Sequence, residues 1–438
     1  MNRLRLLLFI SLTTGVASAQ EVLQPDDAMA TTLENNFGIL VSKNDEAQAK
    51  NNASLLNSRF LPTLSATSGA NIAIDNQEAT FQDGQTRVID GAETTRYNAS
   101  INMNVTLFDG LGRLYNYKRL KEQYALSSLG VRQTIEQTVL QLFSAYYEVA
   151  RLEEGVRILN QTFENSKRRV QRAEKRFEFG SSTRLELLNA KVDLNTDSIN
   201  LIQQRQSLTN AKRNLNVIMA RELETDFSVN PMVRFVDEAV LREKRESYAS
   251  KNVRLLQVRS NEKINTLNLK AQRSTLFPTL SVSSGYGYSE GVFPATGFLA
   301  SSQATGLSAG LTLNWNLFGQ GAQQVGIKNA KIALESTELQ EKQIEQEVLR
   351  DLLNAEGAYR NAIEVYRLQQ ENVVTAKDNF ERSTNQFELG QITSIELRQA
   401  QINLLNAELT GVQAKFSAKL AELEYLNQCG ALLDVSLN

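Results

Sequence analysis

Apolar residues recur every seven positions along three stretches of the chain. Ile135, Leu142, Val149, Val156, Phe163, Val170 and Phe177 keep that spacing, with Ala145, Leu152, Leu159 and Ala173 on the adjoining seam. Leu352, Tyr359, Tyr366, Val373, Phe380 and Phe387 follow the same rule, as do Leu187, Leu194, Leu201, Leu208 and Leu215. A sustained period of 3.5 keeps one seam against its neighbours only if the helices supercoil left-handed, so these stretches predict coiled-coil helices.

Elsewhere the period changes to two. Tyr97, Ala99, Ile101, Met103, Val105 and Leu107 alternate with Arg96, Asn98, Ser100, Asn102, Asn104 and Thr106, and Leu307 to Leu317 alternate in the same way with Gly306 to Asn316. Shorter or weaker partner strands are expected at Leu64, Ala66, Ala70, Ile72 and Ile74 and at Leu280, Val282, Tyr286 and Tyr288. Strands with one apolar and one polar face match those of transmembrane barrels, which need about 9 to 11 residues. Phe108, Trp315 and Phe318 stand at strand ends, where aromatic residues would meet a membrane interface. The edge of a soluble sandwich alternates too, but polar faces rich in Asn, Ser, Thr and Gly suit a wet lumen better.

The chain is written twice. Phe60-Leu-Pro-Thr-Leu-Ser65 recurs as Phe277-Pro-Thr-Leu-Ser281, with Pro62 answering Pro278 at an offset of 216. Leu107-Phe108 recurs as Leu317-Phe318, and Phe177-Glu-Phe-Gly180 as Phe387-Glu-Leu-Gly390, both at 210. The first copy is expected over 20–220: a moderate helix from Asp27 to Asn57, a hairpin over 60–108, a long helix over 113–178 and a second moderate helix over 184–220. A linker over 221–236, containing Pro231, matches neither helix pattern. The second copy is expected over 237–428, with a helix from Asp237 to Ser274, a hairpin over 277–318, a long helix over 322–388 and a last helix over 394–428. A tail covers 429–438.

Composition narrows the chemistry. The chain has no His, and Cys429 is its only cysteine, which removes His-based acid-base catalysis, His or Cys metal clusters and an intrachain disulfide. No enzyme activity, metal or cofactor is therefore expected. Cys429 lies near the end of an apolar helix and is expected to be a buried structural thiol. A formal net charge of -2 supplies no basic footprint for nucleic acid. Residues 1–19 have the order of a secretory signal: Arg3 and Arg5, an apolar run from Leu6 to Val16, then Ala17-Ser18-Ala19 as a cleavage site, so the mature chain is expected to begin at Gln20. Beyond it no run is apolar and long enough for a spanning helix, so membrane insertion would have to use strands.

Four strands cannot form a closed barrel alone, and open edges in lipid would leave amides unsatisfied at several kcal/mol each. Bacterial barrels use at least about eight strands, so two or three copies would be required. Long helices of about 66 residues would reach roughly 100 Å, several times the apolar thickness of a bilayer, and so must project from it.

The twofold repeat, the F-L-P-T-L and F-P-T-L openings of the two hairpins, the exits Leu107-Phe-Asp-Gly110 and Leu317-Phe-Gly-Gln320, and the F-E-x-G turns together resemble the TolC family of outer-membrane factors across essentially the whole mature chain. The resemblance implies a homotrimer in which a twelve-stranded transmembrane β-barrel, four strands per chain, continues into a long periplasmic α-helical barrel. It also implies an outer-membrane exit duct in a Gram-negative bacterium, docked to a periplasmic adaptor and an inner-membrane transporter of RND, ABC or MFS type. The rival reading is a soluble periplasmic coiled-coil adaptor.

At the turns closing the long helices, Gly180 and Gly390 suit the left-handed position after a helix end. Thr183-Arg-Leu-Glu186 and Thr393-Ser-Ile-Glu396 read as capping boxes opening the next helices. In the resembling family the helix after the second turn carries acidic residues that narrow the periplasmic entrance. Glu396 falls on the first of those positions and Gln399 on the second, a departure from the acidic pattern; Glu186 is the counterpart of Glu396 in the first copy. Gly180, Ser181, Thr183, Gly390, Gln391 and Thr393 form the turns that an adaptor would meet. Arg168, Arg169, Arg172, Lys175 and Arg176 make a basic run beside the first turn, expected as a solvated face.

Overall fold

A computed structural model describes residues 22–295 and 299–434. The signal expected at 1–19 and the end of the tail at 435–438 lie outside the described residues. The chain divides into two compact units, and neither coincides with a sequence repeat: one gathers the chain up to Ser42, Arg132–Val253 and everything from Glu347, the other Lys43–Val131 and Arg254–Gln346.

In chain order the elements are β1 (Val22–Leu23), α1 (Pro25–Asn35), α2 (Phe37–Asn52), β2 (Thr63–Thr80), β3 (Thr86–Phe108), α3 (Gly112–Glu178), α4 (Arg184–Ile218) and β4 (Ser228–Val229). They continue with α5 (Glu238–Glu246), α6 (Tyr248–Lys251), α7 (Val253–Ser274), β5 (Thr279–Val292), β6 (Ser301–Asn314), α8 (Ala322–Glu388) and α9 (Ser394–Gln428). Helices α3 and α8 are both 67 residues long, and α4 and α9 both 35, so the two copies agree in helix length.

The moderate helices expected over Asp27–Asn57 and Asp237–Ser274 are broken. Asn36 and Asn252, 216 positions apart, both take extended backbone at ψ 123°, which interrupts the helical hydrogen bonds. The Asn36 side chain donates to the Ile218 carbonyl at 2.8 Å and accepts from the Ile39 amide at 3.1 Å. Asn252 donates to the Gln428 carbonyl at 3.0 Å. Ile218 and Gln428 are the last residues of α4 and α9, so each asparagine leaves its own helix and satisfies a terminal carbonyl of another. Apolar periodicity carries no mark of this.

The linker is more ordered than its lack of pattern suggests. Its strand β4 runs parallel to β1, with Val22 opposite Ser228 and Leu23 opposite Val229. The Lys419 ammonium donates to the Arg234 carbonyl at 2.7 Å, and the Glu422 carboxylate accepts from the Val236 amide at 2.8 Å. Lys419 and Glu422 form a fully buried ion pair on α9. Around them this unit buries Tyr146, Tyr147, Phe143, Leu142 and Val149 of α3 with Phe416, Leu423 and Leu426 of α9. Cys429 is buried with this core.

The other unit holds one antiparallel sheet in the order β2-β3-β5-β6, so the two hairpins join through β3 and β5. Strand β2 is not the weak partner that its sequence suggested: it runs 18 residues beside the 23 of β3, while β5 and β6 have 14 each. Register brings Ala66, Ile101, Tyr286 and Leu307 abreast, with Ser65, Asn102, Gly285 and Ser308 abreast on the opposite face. The two-residue period thus becomes one apolar and one polar face. A bulge between Thr106 and Phe108 sets Phe108 opposite Leu280, moving Phe108 to the apolar face and leaving Leu107 out of the ladder. Strand β6 ends at Asn314, so Trp315 and Phe318 follow the strand instead of closing it. The apolar face is bare: Leu307 is 76% exposed and Leu311 68%.

Candidate functional site

Helices α3 and α8 end alike. Gly180 and Gly390 have φ of 70° and 74°. The Ser181 amide returns to the Arg176 carbonyl and the Gln391 amide to the Gln386 carbonyl, both at 2.8 Å, while Gly180 and Gly390 return to Phe177 and Phe387. This is a Schellman closure, which needs a left-handed residue. A Cβ built on either glycine meets nothing within 4 Å, so backbone conformation, not space, selects glycine here. Gly180, Ser181, Thr183, Gly390, Gln391 and Thr393 are all exposed.

The two caps that follow are not the same. Thr393 and Glu396 form a complete capping box: the Glu396 amide donates to the Thr393 hydroxyl at 3.3 Å, and the Glu396 carboxylate accepts from the Thr393 amide at 2.7 Å. The Thr393 amide first, and second the Thr393 hydroxyl, which donates to the same carboxylate at 2.8 Å, hold the Glu396 carboxyl below its ordinary pKa. In the first copy only half of the box forms. The Glu186 amide donates to the Thr183 hydroxyl at 3.3 Å, but its carboxylate turns to the Ser182 hydroxyl and to Arg176 at 3.4 Å. The reason is local: Arg176 and Ser182 correspond to Gln386 and Ile392 in the second copy, and neither of those competes for the carboxylate in the same way. Gln399, exposed, donates to the Asn403 side-chain oxygen at 2.9 Å.

The basic run is not uniformly solvated. Arg172 pairs with Glu388 at 3.0 Å and both are exposed. Arg169 is buried and pairs with Asp193 of α4 at 2.7 Å. Beside it Arg398 of α9 binds both oxygens of Asp197 at 2.8 Å, and Ser166 donates to the same carboxylate at 2.6 Å. The Gln401 amide donates to the Thr162 carbonyl at 3.2 Å. This polar cluster among α3, α4 and α9 escaped sequence reading. Arg169, Asp193, Asp197 and Arg398 sit among charged residues on helices whose polar faces look alike, and no regular spacing sets them apart.

Of the aromatic residues expected at a membrane interface, Phe108 lies at the β3 bulge, and Trp315 and Phe318 are exposed beyond β6. The Trp315 indole donates to the Leu276 carbonyl at 3.1 Å, which fixes the ring beside the start of β5. Among the described residues no helix is long and apolar enough to cross a membrane.

A family model described as outer membrane efflux protein matches residues 28–221 and 247–426. The chain is 21% identical over 388 residues to the outer membrane protein TolC of Vibrio cholerae serotype O1, covering 86% of this chain and 83% of that protein. Its fold is similar to the CmeC outer membrane channel of Campylobacter jejuni, with a TM-score of 0.78 at 14% identity over 93% of this chain and 86% of that one. It is also similar to the open state of the MtrE outer membrane channel of Neisseria gonorrhoeae, with a TM-score of 0.70 at 14% identity over 93% and 89%. With both halves of the repeat matched in order, the chain belongs to the outer membrane efflux protein family and is an efflux duct of the Gram-negative outer membrane with a periplasmic extension.

Proposed function

We propose that three copies of this chain close a twelve-stranded barrel by pairing β2 of each with β6 of the next, and that the coiled-coil helices continue the wall as a helical barrel. The observation that carries this reading is a four-stranded sheet with an exposed apolar face and two unpaired edge strands. In water such a face and such edges invite aggregation; in a closed barrel lipid covers the one and neighbours pair the other. The opposite face, with Ser65, Asn102 and Ser308, would line a wet lumen. The helices also carry apolar residues that this chain leaves bare, such as Val192 and Ile199 of α4 and Val365 and Leu368 of α8, as neighbouring helices in a coiled-coil wall would require.

In this reading the duct is passive and conducts small molecules or unfolded polypeptide. The turns at Gly180, Ser181, Thr183, Gly390, Gln391 and Thr393 meet a periplasmic adaptor, which links them to an inner-membrane transporter. Glu396, Gln399 and Glu186 lie where the entrance narrows. A soluble coiled-coil adaptor has no use for the bare apolar sheet face. The mass of the protein in detergent, measured by light scattering, tests the assembly: three chains per particle are expected, and a stable monomer or dimer would overturn it.

A further inference from the structure

A cavity of about 200 Å³ opens between α3, α4 and the first turn of α9, far above the roughly 15 Å³ that one water needs. Four arginines line it, Arg169, Arg172, Arg176 and Arg398, against two acidic residues, Glu186 and Asp193. The carboxylates are engaged. Asp193 accepts from Arg169 Nη2 at 2.7 Å and lies 3.6 Å from Arg398 Nε, and Glu186 is held by Ser182 and Arg176. Arg398 spends its Nη groups on Asp197.

Arg398 Nε is buried without a hydrogen-bond partner, and Arg169 has more left over. It is only 8% exposed, and its Nε and Nη1 are buried without a hydrogen-bond partner. Burial pushes its pKa below the usual arginine range; Asp193 opposes that shift and Arg398 adds to it. A buried guanidinium with two idle donor groups calls for an acceptor. Ser394 and Ile395 add the positive end of the 35-residue helix α9 to the same wall.

We propose that this cavity binds a small oxyanion, a carboxylate or a phosphate, on the donors that Arg169 has left, with Arg172 and Arg176 at its rim. The anion would join α3, α4 and α9 just behind the exposed turns. Neither trimer formation nor adaptor docking is needed for this, because every group named belongs to one chain.

The test is calorimetric titration of the full-length protein in detergent, first with sodium phosphate and separately with sodium succinate, at constant ionic strength. At least one salt is expected to bind saturably, one anion per chain, and the salt that binds identifies the chemistry. Arg169→Gln should weaken that binding by about tenfold or more, and Arg169→Lys, which keeps the charge and the Asp193 pair, by less. Should Arg169→Gln fail to assemble, Arg176→Gln at the rim replaces it, with an expected loss of about threefold. Absence of saturable binding of both salts well above the millimolar range, or an unchanged titration in the arginine variants, would overturn the proposal.

Discussion

Arg398 of α9 reaches Asp197 of α4, 201 positions earlier in the chain, and holds both of its carboxylate oxygens at 2.8 Å. Asp197 is 1% exposed, so its charge has little water to fall back on, and Ser166 supplies a third bond. Removing one partner of a buried pair leaves the other uncompensated. Asp197→Ala is therefore expected to cost about 3–5 kcal/mol, and Asp197→Asn less, since it keeps acceptor capacity for Arg398. The shift in denaturation midpoint measures both, and an Asp197→Ala variant as stable as the parent would show that the pair does not tie the two repeats together.

Asn36 and Asn252 each donate to the terminal carbonyl of a helix in their own copy. Replacing either by Ala leaves that carbonyl without its partner, at about 1–3 kcal/mol. The two losses should be similar, because the two breaks have the same ψ. Denaturation of the single variants checks this, and a neutral Asn36→Ala would mean that the helix break needs no side chain.

Glu396 has its pKa lowered by the cap it completes with Thr393. A depressed carboxylate pKa stabilises the fold above the ordinary value of about 4, and that contribution is lost as pH falls through the depressed value. Melting temperature should therefore drop more between about pH 6 and pH 3 in the parent than in Glu396→Gln. If Glu396 also narrows the entrance, the same substitution changes single-channel conductance or cation selectivity in planar bilayers while the assembly stays intact. Unchanged conductance would leave the cap as its role.

Cys429 is fully buried, and burial pushes its thiol up to about 12. The thiolate is the reactive species, so the folded protein should resist maleimide and react only as it unfolds. Labelling followed along a denaturant series should track the loss of helix. Rapid labelling under native conditions would place Cys429 outside the core.

Trp315 follows β6 beside the start of β5 and is exposed. In a barrel that sets this ring at the membrane interface, a lipid-soluble quencher should reduce its fluorescence more than an aqueous one. The reverse order would set the ring in water.

The repeat and the elements it generates were legible in the chain, because both rest on local spacing. Seven-residue runs gave the 67-residue helices, and strict alternation gave β3 and β6, whose facing rows the observed register aligns. Where spacing is silent, reading stopped short. Strand β2 looked weak because Ser68 interrupts its apolar row, yet pairing with β3 along its length extends it to 18 residues. Asn36 and Asn252 looked like helix interior, since what breaks the helix at each is a carbonyl far along the chain.

The sequence by itself determined the repeat, the helical and extended segments, the glycine turns and the absence of histidine chemistry, all of which follow from residue identity and near neighbours. Tertiary structure decided that Glu396 completes its box and Glu186 does not, since Arg176 and Ser182 draw Glu186 away. It also decided that Arg169 is buried while Arg172, three residues on, is exposed. The first depends on how the turn folds Ser182 and Arg176 back onto the Glu186 carboxylate, the second on the carboxylate that α4 brings within hydrogen-bonding reach of Arg169, and neither contact is set by the spacing of apolar residues.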